Sequence, residues 1–188
     1  LYLSPAAVLD GRAPIRGGIP VCFPQFNQWG DLPKHGFARN LPWQVNTPHL
    51  HADRAHLALS LQDSASTRQW WRQAFEARLL IELSAGALQV ALAVRNTDSQ
   101  PLTFTGALHS YFAVDDVAQA CLTGLAGHAE WDAVSDRHGM AAAELRFAGE
   151  FDRVYSAAAQ GYALYDGAHT LHIEQDTDWA HTVVWNPG

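Results

Sequence analysis

An antiparallel all-β sandwich is the fold the sequence predicts, and three observations predict it. Apolar side chains recur at every second position in short runs. Turn-forming residues interrupt those runs at close intervals. Only residues 67 to 75 and 113 to 118 have a composition that could hold a turn of helix. A chain of 188 residues can bury roughly 70% of its unfolded surface in one core. No linker, repeat or low-complexity tract divides it, so a single domain over residues 1 to 188 is expected.

Taken in order, the first informative stretch is residues 13 to 40, APIRGGIPVCFPQFNQWGDLPKHGFARN. Glycine and proline at this density exclude a long helix or a central strand. Yet Ile15, Ile19, Val21, Phe23, Phe26 and Phe37 make it too apolar for a linker. An ordered, function-bearing pair of loops is the expectation, since binding and catalytic groups concentrate on loops held by a rigid scaffold.

A strand is expected at 55 to 61. The strongest signal follows: Phe75, Ala77, Leu79, Ile81 and Leu83, then Leu88, Val90, Leu92 and Val94, joined by Ser84-Ala85-Gly86 as a β-hairpin. After a polar turn ending at Pro101, the run Leu102, Phe104, Leu108 and Phe112 is expected to extend the meander. Further strands are expected at 120 to 125, 142 to 147, 162 to 165, 170 to 174 and 181 to 185. If Leu102, Phe104, Leu108 and Phe112 face a core, then Thr103, Thr105, Ala107, His109 and Tyr111 face the other way. A histidine among hydroxyls on that second face is where a cleft for a hydroxyl-rich ligand could lie.

Twelve Lys and Arg against 19 Asp and Glu give a formal charge of -7, which disfavours nucleic acid or an anionic membrane as partner. An anionic substrate would then need a local cluster of arginine. No apolar run approaches the ~20 residues of a membrane span and no signal peptide opens the chain, so cytoplasmic residence is the default expectation. Cys22 and Cys121 make no metal or redox spacing and are expected as buried free thiols. Leu1 opens within an apolar run and the chain stops at VVWNPG, straight after an apolar strand, so both ends are expected to be cut from something longer.

Several residues carry possible chemistry. His109 has a side chain that exchanges protons near neutrality, although most histidines on sheets are structural. Arg16 precedes Gly17-Gly18 and Arg39 ends His35-Gly36-Phe37-Ala38-Arg39. Either could grip a phosphate or carboxylate, or pair with Asp10 or Asp31. Asp152, in Phe151-Asp152-Arg153, could hold sugar hydroxyls, pair with Arg153 or cap a turn. His49-x-His51 and His169-x-x-His172 lack the further ligands that would complete a metal set, so no metal is expected. Trp70, Trp71 and Trp185 offer faces for a sugar ring, or for packing.

Five motifs, IRGGIPVCFPQF at 15 to 26, LPKHGFARN at 32 to 40, ALHSYFAV at 107 to 114, FDRVY at 151 to 155 and VVWNP at 183 to 187, together resemble the glucose-6-phosphate 1-epimerases. These are the hexose-6-phosphate mutarotase branch of the aldose 1-epimerase family. The resemblance implies a large galactose mutarotase-like β-sandwich that interconverts the α and β anomers of a hexose 6-phosphate without a cofactor, expected here as a monomer. It implies His109 as the general acid, His35 as a hydrogen-bonding group near the reacting centre, and Asp152 as a holder of ring hydroxyls. It implies Arg16 and Arg39 as the phosphate grip, with Gln25 as a further sugar contact. The general base it implies is a glutamate on a strand after Trp185-Asn186-Pro187, and no residue of this sequence matches it. Two other readings stay open: a catalytically silent sugar-phosphate-binding sandwich, and a mutarotase for neutral sugars.

Overall fold

The computed structural model describes residues 1–10, 15–157 and 161–188. Ala13 and Pro14, which open the expected loop pair, lie outside the described residues. The chain divides into two compact units, Leu1–Phe112 and Ala113–Gly188.

The first unit holds β1 (Val21–Cys22), β2 (Gln44–Val45), β3 (His49–Leu50), β4 (Arg54–Gln62), β5 (Phe75–Ser84), β6 (Ala87–Asn96) and β7 (Ala107–Leu108). Among the described residues helix is confined to α1 (Thr67–Trp70) and a 3-10 turn at Ala38–Asn40. The main sheet runs β2-β4-β5-β6, with β3 also on β4, while β1 and β7 form a separate pair. The expected hairpin is β5–β6, closed by Ala85-Gly86 with Gly86 at φ 78°, where a residue without Cβ turns most cheaply. Its alternation packs Phe75, Ala77 and Leu79 into a core with Val21, Phe23, Phe37, Ala38 and Leu61. At the hairpin tip the same alternation leads outward, and Leu83 and Leu88 are exposed.

In the second unit, β8 (Cys121–Thr123), β9 (Ala129–Asp132), β10 (Arg137–Met140), β11 (Glu144–Arg146), β12 (Glu150–Tyr155), β13 (Gly161–Tyr165), β14 (Thr170–Glu174) and β15 (Thr182–Pro187) make two sheets. One runs β10-β9-β12-β15 and the other β11-β8-β13-β14. Every strand pair among the described residues is antiparallel, so the all-β antiparallel class is the one the chain adopts.

Two local expectations are overturned. The run through Leu102, Phe104, Leu108 and Phe112 does not extend the β4–β5–β6 meander. Only Ala107–Leu108 is strand, and it pairs with β1. The physical reason is that residues 104 and 105 are drawn to the opening loops: the Phe104 ring meets Phe23 edge-on at 5.1 Å, and the Thr105 amide donates to the Pro24 carbonyl at 3.1 Å. Residues 113 to 118 hold no helix. There the Asp116 side chain accepts the Ala118 amide at 2.9 Å and fixes a turn instead.

Candidate functional site

The loop pair is folded around one carbonyl. The Phe23 oxygen accepts the amides of both Phe37 and Ala38, each at 3.1 Å, and so clamps the 35–39 turn to the strand that carries β1. Gly36 sits at φ 67°, and a Cβ there would run into that same carbonyl, so only glycine fits. His35 also has φ 67°, a left-handed conformation costly for a non-glycine residue and enriched at functional sites. Its main-chain amide donates to the Asn27 carbonyl at 2.9 Å, and its ring Nδ1 accepts the Asn27 amide at 3.2 Å. The tautomer follows: Nδ1 is the acceptor, so Nε2 carries the proton and is free to donate.

His109 is carried just beyond β7. Its amide donates to the Pro20 carbonyl and the Tyr111 amide donates to the Gly18 carbonyl, both at 3.0 Å. Residues 18 to 20 therefore run beside residues 109 to 111, and Arg16 continues the same line two residues further on. The His109 and Tyr111 rings stack at 4.7 Å between centroids and 15° between planes. They share a face as period-two alternation requires. The His35 and His109 rings meet edge to face at 6.1 Å.

Positive charge converges on this pair. Arg39 Nη2 donates to the Lys34 carbonyl at 3.0 Å, tying the guanidinium to the turn, and Arg39 Nε is buried with no hydrogen-bond partner among the described residues. Burial pushes the His35 pKa down to about 4, helped by the charges of Arg39, His109 and Lys34. Burial also lowers the His109 pKa; a hydrogen bond to its own main chain opposes this, and the charges of Arg39, Arg16 and Lys34 add to it. Both imidazoles are therefore predominantly neutral at neutral pH in the free protein.

Gln25 is buried, and its amide is engaged within the loop: Nε2 donates to the carbonyls of Asn27 at 3.1 Å and Leu32 at 3.0 Å, while Oε1 accepts the Leu32 amide at 3.0 Å. It braces the loop from which His35 projects. Asp152 belongs to the second unit, half-buried on β12 opposite Trp185 of β15, with its carbonyl accepting the Ala133 amide at 2.8 Å. Its neighbour Arg153 pairs with Glu130 at 3.1 Å and Asp132 at 3.4 Å on β9. The first unit thus brings His35, His109, Arg16 and Arg39 together, with Gln25 bracing the loop behind them.

The profile of the family described as "Aldose 1-epimerase" matches residues 1–188. The chain belongs to the aldose 1-epimerase family. Among curated relatives it is 34% identical over 194 residues to the "Putative glucose-6-phosphate 1-epimerase" of Escherichia coli (strain K12), covering 100% of this chain and 64% of that protein. It is 33% identical over 198 residues to the protein of the same name from Cenchrus ciliaris, covering 100% of this chain and 60% of that one. Among solved structures, the crystal structure of a "putative mutarotase" from Salmonella typhimurium superposes with a TM-score of 0.89 at 30% identity, covering 100% of this chain and 63% of that chain. The chain thus spans 60% and 64% of the length of these two curated relatives.

Within this aldose 1-epimerase chain, Lys34 joins the candidate site residues. Its signal was present, because it lies inside LPKHGFARN directly before His35. The tryptophans divide: Trp71 packs on Phe23 at 5.7 Å and joins the core of the first unit, while Trp70 touches Phe37 at 5.8 Å and stays exposed. His56 approaches Glu82 at 3.2 Å and His51 at 5.7 Å on the β3–β4–β5 surface, away from these residues in the sheet order.

Proposed function

We propose that the site interconverts the α and β anomers of a hexose 6-phosphate, with glucose 6-phosphate as first candidate, by acid–base ring opening and closure. The observation that carries this reading is the His35–His109 pair lying within the combined field of Arg16, Lys34 and Arg39. A proton-transfer group set beside several cations suits a neutral sugar ring that bears a dianion.

In the proposed reaction His109 gives a proton to the ring oxygen as the bond from C1 to that oxygen breaks. A base takes the proton of the anomeric hydroxyl, and C1 becomes an aldehyde carbon. Rotation about the C1 to C2 bond and closure in reverse give the other anomer, so acid and base exchange roles. His35, neutral and donating through Nε2, hydrogen-bonds the sugar close to C1. Arg16 and Arg39 hold the phosphate. Gln25 contributes by fixing the His35 loop. The base in this proposal is the glutamate implied after Trp185-Asn186-Pro187, which is not among residues 1–188. No electrons are gained or lost, so the chemistry calls for no redox cofactor.

Anomer exchange of glucose 6-phosphate and of glucose, followed by NMR with the protein that carries that glutamate, tests the reading. Faster exchange of the phosphorylated sugar is expected, and equal rates would sink the phosphate role. Arg39→Ala should raise the KM for glucose 6-phosphate and hardly touch glucose. An equal loss on both would mean that the substitution damages the fold.

A further inference from the structure

The two histidines and the three cations are built as one piece. Lys34 adjoins His35 in the chain and its carbonyl holds the Arg39 guanidinium at 3.0 Å. Gly18 and Pro20, two and four residues beyond Arg16, hold the amides of Tyr111 and His109. Among the described residues, Arg16, Lys34 and Arg39 act on the His109 ring by their charge, the His35 ring lies at 6.1 Å and the Tyr111 ring stacks at 4.7 Å. Across β1, the buried Cys22 thiol is pushed up to about 11 by its burial, so it stays protonated and adds no charge.

A proton donor surrounded by cations has a difficulty: like charges disfavour its charged form. In the free protein burial first, and the field of the cations in addition, work against a proton on His109, yet ring opening needs a proton there. A bound dianion offsets two of those three charges and so weakens that field.

We propose that the phosphate group of the substrate is an activator as well as a handle: seated among Arg16, Lys34 and Arg39, it offsets two of their three charges at the His35–His109 pair. Binding the dianion is coupled to uptake of a proton from solvent onto the His109 imidazole, and that proton is the one His109 passes to the ring oxygen. Lys34 acts here as a third cation of the phosphate site, set by the same turn that presents His35. This inference rests on the phosphate reading of the site and goes beyond it, because a grip for specificity alone would leave the histidine unchanged.

The test follows the His109 and His35 imidazoles by NMR as a function of pH, with and without sulfate, an anion that stays doubly charged throughout the titration. A chloride control of matched ionic strength removes general screening. The expected result is a rise of the His109 midpoint by about one pH unit in sulfate, a roughly tenfold gain in proton affinity. Lys34→Gln, a change at an exposed side chain, should raise the midpoint in the free protein and shrink the sulfate-induced rise. Sulfate that binds, by chemical shifts of the 34–39 amides that saturate and are lost in Arg39→Ala, without moving His109 overturns the inference and leaves the phosphate grip standing. Failure of sulfate and of inorganic phosphate to bind at all overturns the phosphate reading and the inference with it.

Discussion

His35 and His109 differ in what holds them, and the difference assigns their roles. His35 is pinned in a left-handed conformation with its Nδ1 on the Asn27 amide, so it is a fixed, neutral donor. His109 keeps a ring stacked on Tyr111, facing His35. His109→Ala should therefore cut anomerisation by roughly 100-fold or more, as loss of a proton donor does; wild-type turnover in that variant would refute the assignment. His35 also leaves a mark on stability. Its pKa falls from 6.5 to about 4 on folding. In that window the unfolded chain binds a proton the folded chain does not, so stability declines as pH falls through it and levels off below it. Urea unfolding across the window should show this slope, and His35→Gln should flatten it. An unchanged slope would place the acid sensitivity in other groups.

At the scale of elements, the β5–β6 hairpin supports the site from below. Phe75 is 1% exposed and its ring touches Phe23 at 5.2 Å and Phe37 at 6.2 Å, the residues at the two ends of the loop clamp. Phe75→Ala should cost about 3–5 kcal/mol in thermal or urea unfolding, and activity at moderate temperature should fall with the folded fraction. A loss below about 1 kcal/mol would show that the core collapses into the gap. The hairpin was legible in the sequence because one face of each strand is apolar over many residues. Strands β9, β10 and β12 were not. Asp152 and Arg153 sit mid-strand in β12, where Arg153 is neutralised by Glu130 and Asp132 of β9, a pairing between residues more than twenty positions apart. β10 is exposed along its whole length and has no apolar face to read. The misread run at 102 to 112 failed for the opposite reason. Its alternation is real, but partners in the opening loops, not the neighbouring hairpin, decide where it pairs.

For the molecule as a whole, charge and site oppose each other. A chain of net charge -7 gathers Arg16, Lys34 and Arg39 around two neutral histidines, so attraction for an anion is local and owes nothing to the overall field. The residue types of the site were legible in the motifs, but their electrostatic coupling was not, since it depends on which carbonyls hold the loops together. Gln25 shows the same limit: the resemblance implies a sugar contact, and the three hydrogen bonds by which it also braces its loop are not written in the motif.

The Phe23 carbonyl that clamps Phe37 and Ala38 sets a time scale. A lid over a substrate must open without the rest of the protein, and its amides then exchange with solvent quickly. Here the amides of Phe37 and Ala38 are spent on an oxygen whose own side chain is fully buried in the core. The turn that presents His35 and Arg39 cannot lift unless the first unit's core comes apart. Deuterium uptake at those two amides should accordingly be as slow as at Ala77 and Leu79 in β5. Fast uptake would make the turn a moving gate, whereas slow uptake makes the site a fixed mould that sugars enter and leave by diffusion alone.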